Sequence, residues 1–232
     1  MTGRLQGKVV LVTGASRGIG AAIARTLGAE GASLVLCSRT REALDDTVQA
    51  LEREKVPVLA QACDVADVSQ VEALVAAAQG RFGRVDVLVN NAGIVVRRSL
   101  LDMEDADYTR VLDVNLVGPF LLIRRLVPGM IERHEGRIIN VSSISGTLGS
   151  PRQSGYCASK WGLNGLTRSL AEELKGTGVT VTAVLPGSVD TDMLKGSGFA
   201  PEVTPQEIAD TVRWLASDAP ASMTGALVEV FG

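Results

Sequence analysis

Short runs of apolar, β-branched residues alternate along the chain with longer segments in which apolar positions recur every three or four residues. The short runs predict seven β-strands, at Lys8–Val12, Ser33–Cys37, Val56–Ala62, Val85–Val89, Arg137–Val141, Val179–Leu185 and Ala226–Val230. The longer segments, such as Gly20–Glu30 and Arg41–Glu54, predict helices between nearly all of these strands. Strands that are apolar on both faces and separated by helices are typical of a parallel sheet covered on both sides.

The alternation continues without a break, so we predict one α/β domain over residues 1–232. No linker, repeat or low-complexity segment interrupts it, and α/β domains of this length often form a single unit. The strands should form one doubly wound, seven-stranded parallel sheet with helices on both faces. Ligands of such sheets bind beyond the carboxyl ends of the strands, where the strand order reverses. Functional residues are therefore expected directly after strands.

Composition and charge exclude several classes of function. The net charge of -3 and the pI near 5.3 provide no broad positive field for a nucleic-acid backbone. No run of about eighteen consecutive apolar residues occurs, and the first residues lead straight into a predicted strand. We therefore expect a small-molecule ligand, no nucleic-acid partner, no membrane span and no secretion signal.

The histidine and cysteine content narrows the chemistry further. His134 is the single histidine and lies in a charged turn, which argues against a Ser-His-Asp hydrolase and a histidine metal site. Cys37, Cys63 and Cys157 are odd in number and widely spaced, which fits neither a disulfide framework nor a zinc site. We expect reduced thiols, no metal and a cytoplasmic location.

A glycine-rich turn follows the first predicted strand. The segment from Thr13 to Gly20 reads Thr-Gly-Ala-Ser-Arg-Gly-Ile-Gly and leads into an alanine-rich helix. Glycine lets the backbone approach a pyrophosphate, and the free N–H groups of a helix N-terminus attract the anion. Ordinary turns also contain glycines, but the position at the first crossover favours a dinucleotide site.

The residues after the second strand favour NADP(H) over NAD(H). An NAD site usually places an acidic residue about twenty positions beyond the glycine turn, whereas this strand ends in Cys37-Ser38-Arg39-Thr40. Arg39 and Arg17, with Ser38 as a further donor, are expected to converge on a 2′-phosphate. The alternative is that both arginines are solvated surface charges.

Matching residues along nearly the whole chain resemble those of the short-chain dehydrogenase/reductase family. They comprise the glycine pattern TGxxxGxG together with Cys63-Asp64-Val65, Asn90-Asn91-Ala92-Gly93, Asn115, Ser143, Tyr156, Lys160 and Pro186-Gly187. The middle of the chain looks most like the 3-oxoacyl-[acyl-carrier-protein] reductase branch, which implies a role in fatty-acid biosynthesis. The resemblance also implies a Rossmann-type fold and an NADP-dependent oxidoreductase.

Tyr156 and Lys160 are four residues apart in a predicted helix and therefore share a face. A nearby cation favours the phenolate, so Lys160 is expected to lower the pKa of Tyr156 and make it an acid/base catalyst. Ser143 precedes Tyr156 by 13 residues (156 − 143), the spacing that the family uses. Its hydroxyl is expected to polarise a substrate carbonyl. Taken alone, a Tyr/Lys pair is more often an ordinary helix face.

The resemblance implies further roles. Asn115 would hold a proton-relay water beside Lys160, and the same asparagine predicts a local irregularity in its helix. Lys160 would hold the cofactor ribose, Asp64 the adenine and Thr191 the nicotinamide carboxamide, while Asn90 would brace the pocket. The predicted cofactor-binding residues are Gly14, Ser16, Arg17, Gly18, Ile19, Gly20, Ser38, Arg39, Asp64, Val65, Asn91, Ala92, Gly93, Tyr156, Lys160, Pro186, Gly187, Val189 and Thr191.

Two segments depart from the family pattern. The lid segment, Asp192–Thr204, is short, and the chain ends in Glu229-Val230-Phe231-Gly232 instead of the usual acidic-glycine-glycine tail. A short lid predicts an open site. An acidic acyl carrier protein would need basic docking residues, and the candidates are Lys175, Arg97, Arg98, Arg133 and Arg152. An equal alternative is that these basic residues are ordinary surface charges with no docking role.

Three functions are compatible with these residues. The first is an NADPH-dependent carbonyl reductase, with a 3-oxoacyl thioester among its candidate substrates. The second is an alcohol or sugar dehydrogenase with the same machinery, and the third is a non-catalytic cofactor sensor or scaffold. The helices around Asp105–Glu132 and Tyr156–Lys175 carry more apolar residues than one sheet face covers, so we also expect a homodimer or homotetramer.

Overall fold

The computed structural model describes residues 3–231 and contains all seven predicted strands. The strands are β1 (Val9–Thr13), β2 (Ser33–Ser38), β3 (Val58–Ala62), β4 (Val87–Asn90), β5 (Gly136–Val141), β6 (Val179–Pro186) and β7 (Leu227–Val230). The helices are α1 (Gly18–Ala29), α2 (Asp45–Arg53), α3 (Val68–Phe82), α4 (Asp105–Leu112), α5 (Gly118–Glu132), α6 (Ser154–Glu173) and α7 (Pro205–Ser217).

The strands form one parallel sheet in the order β3-β2-β1-β4-β5-β6-β7. The strand order reverses between β1 and β4, because the chain builds outward from β1 to β3 and then crosses to the other side. This is the doubly wound, Rossmann-type arrangement that the sequence predicted. A ligand site is expected above the carboxyl ends of β1 and β4.

The core consists of two apolar layers, one on each face of the sheet. Successive side chains of a strand point to opposite faces, so Val10 and Val12 of β1 join the layer under α1, α2 and α7. Val9 and Leu11 join the other layer, under α3, α5 and α6. Each such side chain contributes roughly 1.5–3 kcal/mol when it is removed from water.

The segment Asp105–Glu132 is one continuous helical rod interrupted by a π-helical turn at Asp113–Val117. The irregularity that Asn115 predicted is therefore present. By length and mean hydropathy, 1.4 in its most apolar window, this rod could cross a membrane. Half of that window is buried, and α5 packs against α3 and β5, which is how a core helix behaves.

Four strands continue one residue beyond their predicted ends: β1, β2, β4 and β6 end at Thr13, Ser38, Asn90 and Pro186. Pro186 was expected to end the ladder after β6, yet it is the last residue of that strand and lies opposite Val230 of the edge strand β7. Proline is tolerated at such a strand end. β5 ends at Val141 as predicted, and Ser143 caps the 3-10 turn that follows.

Candidate active site

The glycine turn between β1 and α1 is closely packed against the loop that follows β4. Gly14 and Gly18 have φ angles of +65° and +53°, a region that favours glycine. A Cβ atom at Gly20 would lie 2.2 Å from the Gly14 carbonyl oxygen, and one at Gly14 would lie 2.9 Å from Ala92 Cα. The side chain of the N-cap residue, Arg17, does not cap α1, which leaves the N–H groups of the first turn for an anion.

Asn91 and Thr13 hold this turn in place. The Asn91 side-chain amide donates to the carbonyl oxygens of Thr13 (2.9 Å) and Gly14 (3.1 Å). The Thr13 hydroxyl accepts the backbone N–H groups of Asn91 (3.0 Å) and Ala92 (2.9 Å). The Asn91 side chain therefore braces the turn, and its predicted contact with the cofactor stays a prediction. Thr13 was given no role in the sequence analysis, although it opens the TGxxxGxG pattern.

Asn90 braces the pocket from below, as the resemblance implied. Its side-chain amide donates to Asn140 Oδ1 at 2.9 Å, and Asn140 in turn donates to the Thr167 hydroxyl at 2.9 Å. The chain of bonds links β4, β5 and α6 beneath the site.

The end of β2 presents positive charge. Arg39 is exposed, and the buried Ser38 hydroxyl donates to the Thr40 carbonyl. Arg17 does not converge with Arg39 here, because its Nη1 atom lies 3.0 Å from Asp192 Oδ2 of the lid segment. Both members of this ion pair are solvent-exposed, so it is weak and a phosphate can replace it.

The turn after β3 differs in detail from its implied role. The Asp64 carboxylate, expected at the adenine, accepts hydrogen bonds from Arg110 and from the Ala66 N–H group (3.0 Å). The Val65 side chain packs against Gly118, where a Cβ atom would lie only 2.9 Å from Val65 Cγ2. The contact of Asp64 and Val65 with a cofactor stays a prediction.

The turn after β6 lies beside the glycine turn. A Cβ atom at Gly18 would lie 3.1 Å from Thr191 Cγ2, so Thr191 borders the entrance of α1. Gly187 lies close to Phe231, because a Cβ atom at Gly187 would be 2.7 Å from Phe231 Cβ. Val189 is buried and pairs with Val203 in an isolated β-bridge. The two turns together enclose a cradle whose free N–H groups and small residues fit a dinucleotide.

Ser143, Tyr156 and Lys160 come together above β5. All three are buried, with 8%, 9% and 4% of their surfaces exposed. Lys160 Nζ donates to the Val141 carbonyl at 2.8 Å and lies 5.7 Å from the centre of the Tyr156 ring. The Ser143 hydroxyl accepts the Ser145 N–H group at 3.1 Å. The hydroxyl of the adjacent Ser142 lies 3.4 Å from the Lys160 carbonyl oxygen instead.

The pKa values of the pair correct one expectation. Burial raises the pKa of Tyr156 above the usual tyrosine value, while a hydrogen bond with Ser143 and the charge of Arg97 lower it in part. Lys160 was expected to lower this pKa but is not among the causes. Burial also lowers the pKa of Lys160 to about 8, because a cation is poorly solvated there.

Asn115 connects the loop after β4 to the catalytic helix. Its side chain is fully buried, accepts the Ile94 N–H group (2.9 Å) and donates to the Ile94 carbonyl (2.9 Å) and to the Ser159 hydroxyl (3.0 Å). Ser159 donates to the Tyr156 carbonyl at 2.7 Å. The π-helical turn thus directs Asn115 toward the helix that carries Tyr156 and Lys160.

The basic residues considered for carrier docking are scattered. Lys175 pairs with Glu172, and Arg133 donates to the Val85 carbonyl, so both lie at the amino edge of the sheet, away from the site. Arg98 pairs with Glu104 at 2.9 Å and with Asp107 at 3.4 Å. Arg97 and Arg152 remain at the carboxyl edge, where the candidate site lies.

Comparison with known proteins agrees with this geometry. The family model described as short chain dehydrogenase matches residues 8–200. The chain is 39% identical to a 3-oxoacyl-[acyl-carrier-protein] reductase of Synechocystis (98% of this chain, 97% of the relative). It is 37% identical to the reductase of that name from Escherichia coli (98% and 97%).

Two solved structures of reductases are equally similar in shape. Levodione reductase aligns with a TM-score of 0.93 at 33% identity, over 98% of this chain and 97% of that one. A variant of actinorhodin polyketide ketoreductase with NADPH aligns with a TM-score of 0.93 at 36% identity, over 100% and 98%. The chain therefore belongs to the short-chain dehydrogenase family and is a nicotinamide-dependent oxidoreductase of carbonyl and alcohol groups.

Proposed function

We propose that this protein reduces a ketone to a secondary alcohol with NADPH, and that Tyr156 supplies the proton. The observation that carries the proposal is the buried cluster of Ser143, Tyr156 and Lys160 beside the glycine turn. The relatives are reductases by name, which favours this function over an alcohol or sugar dehydrogenase. A non-catalytic sensor would have no need for all three side chains.

The roles of the residues follow from their chemistry. The bound nicotinamide supplies the hydride that adds to the carbonyl carbon. Ser143 donates a hydrogen bond to the carbonyl oxygen, where negative charge develops. The Tyr156 hydroxyl transfers its proton to that oxygen, and the positive charge of Lys160 stabilises the phenolate that is left. Asn115 positions α6 through Ser159, and a proton-relay water beside it is part of the proposal.

NADP(H) is proposed as the preferred cofactor, with NAD(H) second. Arg39 is exposed at the end of β2, where no acidic side chain follows to bind a ribose hydroxyl. Of the two arginines considered, Arg39 is the principal partner of the 2′-phosphate, because Arg17 pairs with Asp192. The NADPH-bound neighbour is consistent with this preference.

An NADPH-oxidation screen across acetoacetyl thioesters, diketones, aldehydes and keto-sugars tests the activity. The thioester is included because the names of the relatives point to that substrate class. Delivery by a carrier protein and a cytoplasmic location remain predictions. Absence of NADPH oxidation with every class would contradict the proposal.

Cofactor titrations test the preference. NADPH is expected to bind at least about tenfold more tightly than NADH, and Arg39→Ala should remove most of that difference. Arg17→Ala, which breaks the pair with Asp192, should have a smaller effect. Equal dissociation constants for the two cofactors, or a preference that survives Arg39→Ala, would show that another group reads the phosphate.

A further inference from the structure

A positively charged cavity lies at the N-terminal end of α6, the helix that carries Tyr156. Its volume is about 280 Å³, and it is lined by Arg97, Pro151, Arg152, Gln153, Gly196 and Ser197. These residues come from the loop after β4, the segment before α6 and the lid segment. No acidic residue of the described chain lines the cavity, although two arginines do.

Arg97 is half-buried at this cavity and its charge is not neutralised. Its Nη2 atom donates to the Met193 carbonyl at 2.8 Å, which fixes the guanidinium against the lid segment. Its Nε atom is buried without an acceptor. No carboxylate within residues 3–231 lies within 4.0 Å of it, so no ion pair forms. A buried donor without a partner is costly, and so is an unpaired charge.

The neighbouring residue, Arg98, has a structural role in the same loop. Arg98 is next in the chain but pairs with Glu104 and Asp107, outside the cavity. Its N–H group donates to the Arg152 carbonyl at 3.0 Å, which ties the loop after β4 to the segment before α6. Arg152 itself has a φ of +61°, an uncommon value for a non-glycine residue. The two loops therefore hold the cavity wall in a defined shape.

Arg97 also lies close enough to the reaction centre to act on it. Its charge lowers the pKa of Tyr156, against the larger opposite effect of burial. Gln153, which lines the cavity, directly precedes α6 and lies three positions before Tyr156, so less than one helical turn separates the two along the chain. Both residues are buried. The cavity wall and the tyrosine are thus neighbours at the start of α6.

We propose that the substrate is an oxo acid whose free carboxylate binds Arg97 while its ketone contacts Tyr156 and Ser143. The inference rests on the proposed reductase activity and names its substrate class. A guanidinium matches the planar carboxylate in geometry and charge. A substrate carboxylate in the cavity would supply the counter-ion that the described residues do not. A neutral thioester, by contrast, would leave the charge of Arg97 without a counter-ion.

Kinetics on a matched pair of substrates test the proposal. The holoenzyme with NADPH is expected to reduce 3-oxobutanoate with a higher kcat/KM than its neutral methyl ester or the N-acetylcysteamine thioester. Arg97→Met should lower kcat/KM for the acid by roughly 10- to 100-fold, as expected for a charged hydrogen bond, and change the value for the ester by less than about threefold. Arg98→Met, which removes the same charge one residue away, should leave both values unchanged.

The ratio of the two substrates separates this role from a structural one. Arg97 also fixes Met193 and acts on Tyr156, but the loss of those effects would lower the rates with acid and ester alike. An equal loss on both substrates, or a wild-type preference for the ester or the thioester, would overturn the proposal.

A binding measurement separates failure of this inference from failure of the reductase proposal. Saturation-transfer NMR with enzyme and NADP⁺ should detect butanoate but not butanamide, and the butanoate signal should vanish in Arg97→Met and persist in Arg98→Met. This result would support the carboxylate site even if no ketone were reduced. A butanoate signal that is absent from the wild type or unchanged in Arg97→Met would refute the site, whatever the activity.

Discussion

Burial keeps the Tyr156 phenol protonated at neutral pH, because its pKa lies above the ordinary tyrosine value. A protonated phenol is the form required for reduction, in which the residue gives its proton to the substrate oxygen. Alcohol oxidation needs the phenolate and should therefore be slow at neutral pH and rise in alkaline solution. The ionisation state thus agrees with the direction suggested by the named relatives.

Replacement of Tyr156 by phenylalanine tests its role directly. Tyr156→Phe keeps the ring and removes the proton donor, so turnover should fall by roughly 10²–10⁴, the usual worth of general acid catalysis. NADPH affinity, measured by fluorescence titration, should stay nearly the same. Tyr108→Phe removes the hydroxyl of the other tyrosine, on α4, and should leave turnover unaltered. Near-normal turnover in Tyr156→Phe would rule out the mechanism while leaving the fold assignment intact.

The pH dependence should report Lys160. A lysine is cationic below its pKa, so Lys160 loses its charge as the pH rises through about 8. Tyr156, with a raised pKa, keeps its proton through the same range. The kcat/KM for reduction should therefore decline above about pH 8, since the phenolate formed in the reaction then lacks its stabilising cation. A profile measured at saturating NADPH that stays flat through this range would contradict the assignment.

Residue identity and spacing predicted which side chains meet, but not their ionisation. Tyr156 and Lys160 are neighbours on one helix, and Ser143 ends the segment beside it, so their proximity follows from local sequence. The sign of the pKa shift depends instead on burial and on Arg97, which comes from a distant loop. Arg17 is a similar case, because its partner Asp192 lies 175 positions away along the chain.

At the scale of the element, the glycine turn is packed so closely that it excludes side chains. The Gly20 position leaves no space for a methyl group between the Gly14 carbonyl and the Asn91 amide, which a Cβ atom would approach to 2.2 Å and 2.5 Å. Both contacting groups are held in place, because the Asn91 side-chain amide donates to the carbonyl oxygens of Thr13 and Gly14. A side chain here must displace either β1 or the loop after β4.

Gly20→Ala is therefore expected to weaken NADPH binding at least about tenfold and to lower the unfolding midpoint, as overpacking costs roughly 1–3 kcal/mol. Gly80→Ala provides the matched control, because Gly80 lies near the end of α3 with open space around it. Alanine there should leave binding unchanged and stabilise the helix by up to about 1 kcal/mol. Calorimetry and cofactor titration on the two variants check this, and equal behaviour of the variants would show that the turn has room to relax.

The elements that the sequence predicted are those with a local signature. Helices cover both faces of the sheet, so strands such as β1 are apolar on both faces. This continuous apolar run makes them recognisable in the sequence. Boundaries were less accurate where a distant strand decides them: Pro186 stays in β6 because Val230, near the end of the chain, lies opposite it. A local irregularity was predicted from Asn115 alone, but the contacts of this asparagine with Ile94 and Ser159 are not identified by any local pattern.

At the scale of the whole molecule, the doubly wound topology brings the separate turns to one edge. β1 and β4 are neighbours at the strand reversal, and β5 and β6 follow, so the glycine turn, Ser143 and Thr191 all lie above carboxyl ends. Each turn is an ordinary connection in isolation. The cradle and the catalytic cluster are adjacent only because the strand order is the observed one.

The same topology leaves apolar side chains on the outer faces of the helical rod and α6. Tyr108, Val117, Phe120 and Trp161 are exposed there, and Trp161 has 55% of its surface accessible. Large apolar side chains that solvent would otherwise reach are typical of subunit interfaces. A homodimer or homotetramer that covers them stays a prediction. The catalytic cluster does not need a second chain, because all of its residues belong to one chain.

Light scattering coupled to gel filtration should accordingly give a mass of two or four chains at micromolar protein concentration. Trp161→Glu places a charge among these side chains, and desolvating an unpaired carboxylate in an interface is costly, so the variant should shift toward smaller species. Phe199→Glu changes a side chain that is 63% exposed in the lid segment, away from the two helices, and should keep the wild-type mass. Neither position is in the core, so neither substitution should prevent the chain from folding. A wild-type protein that elutes only as a monomer would show that these exposed side chains serve no self-association.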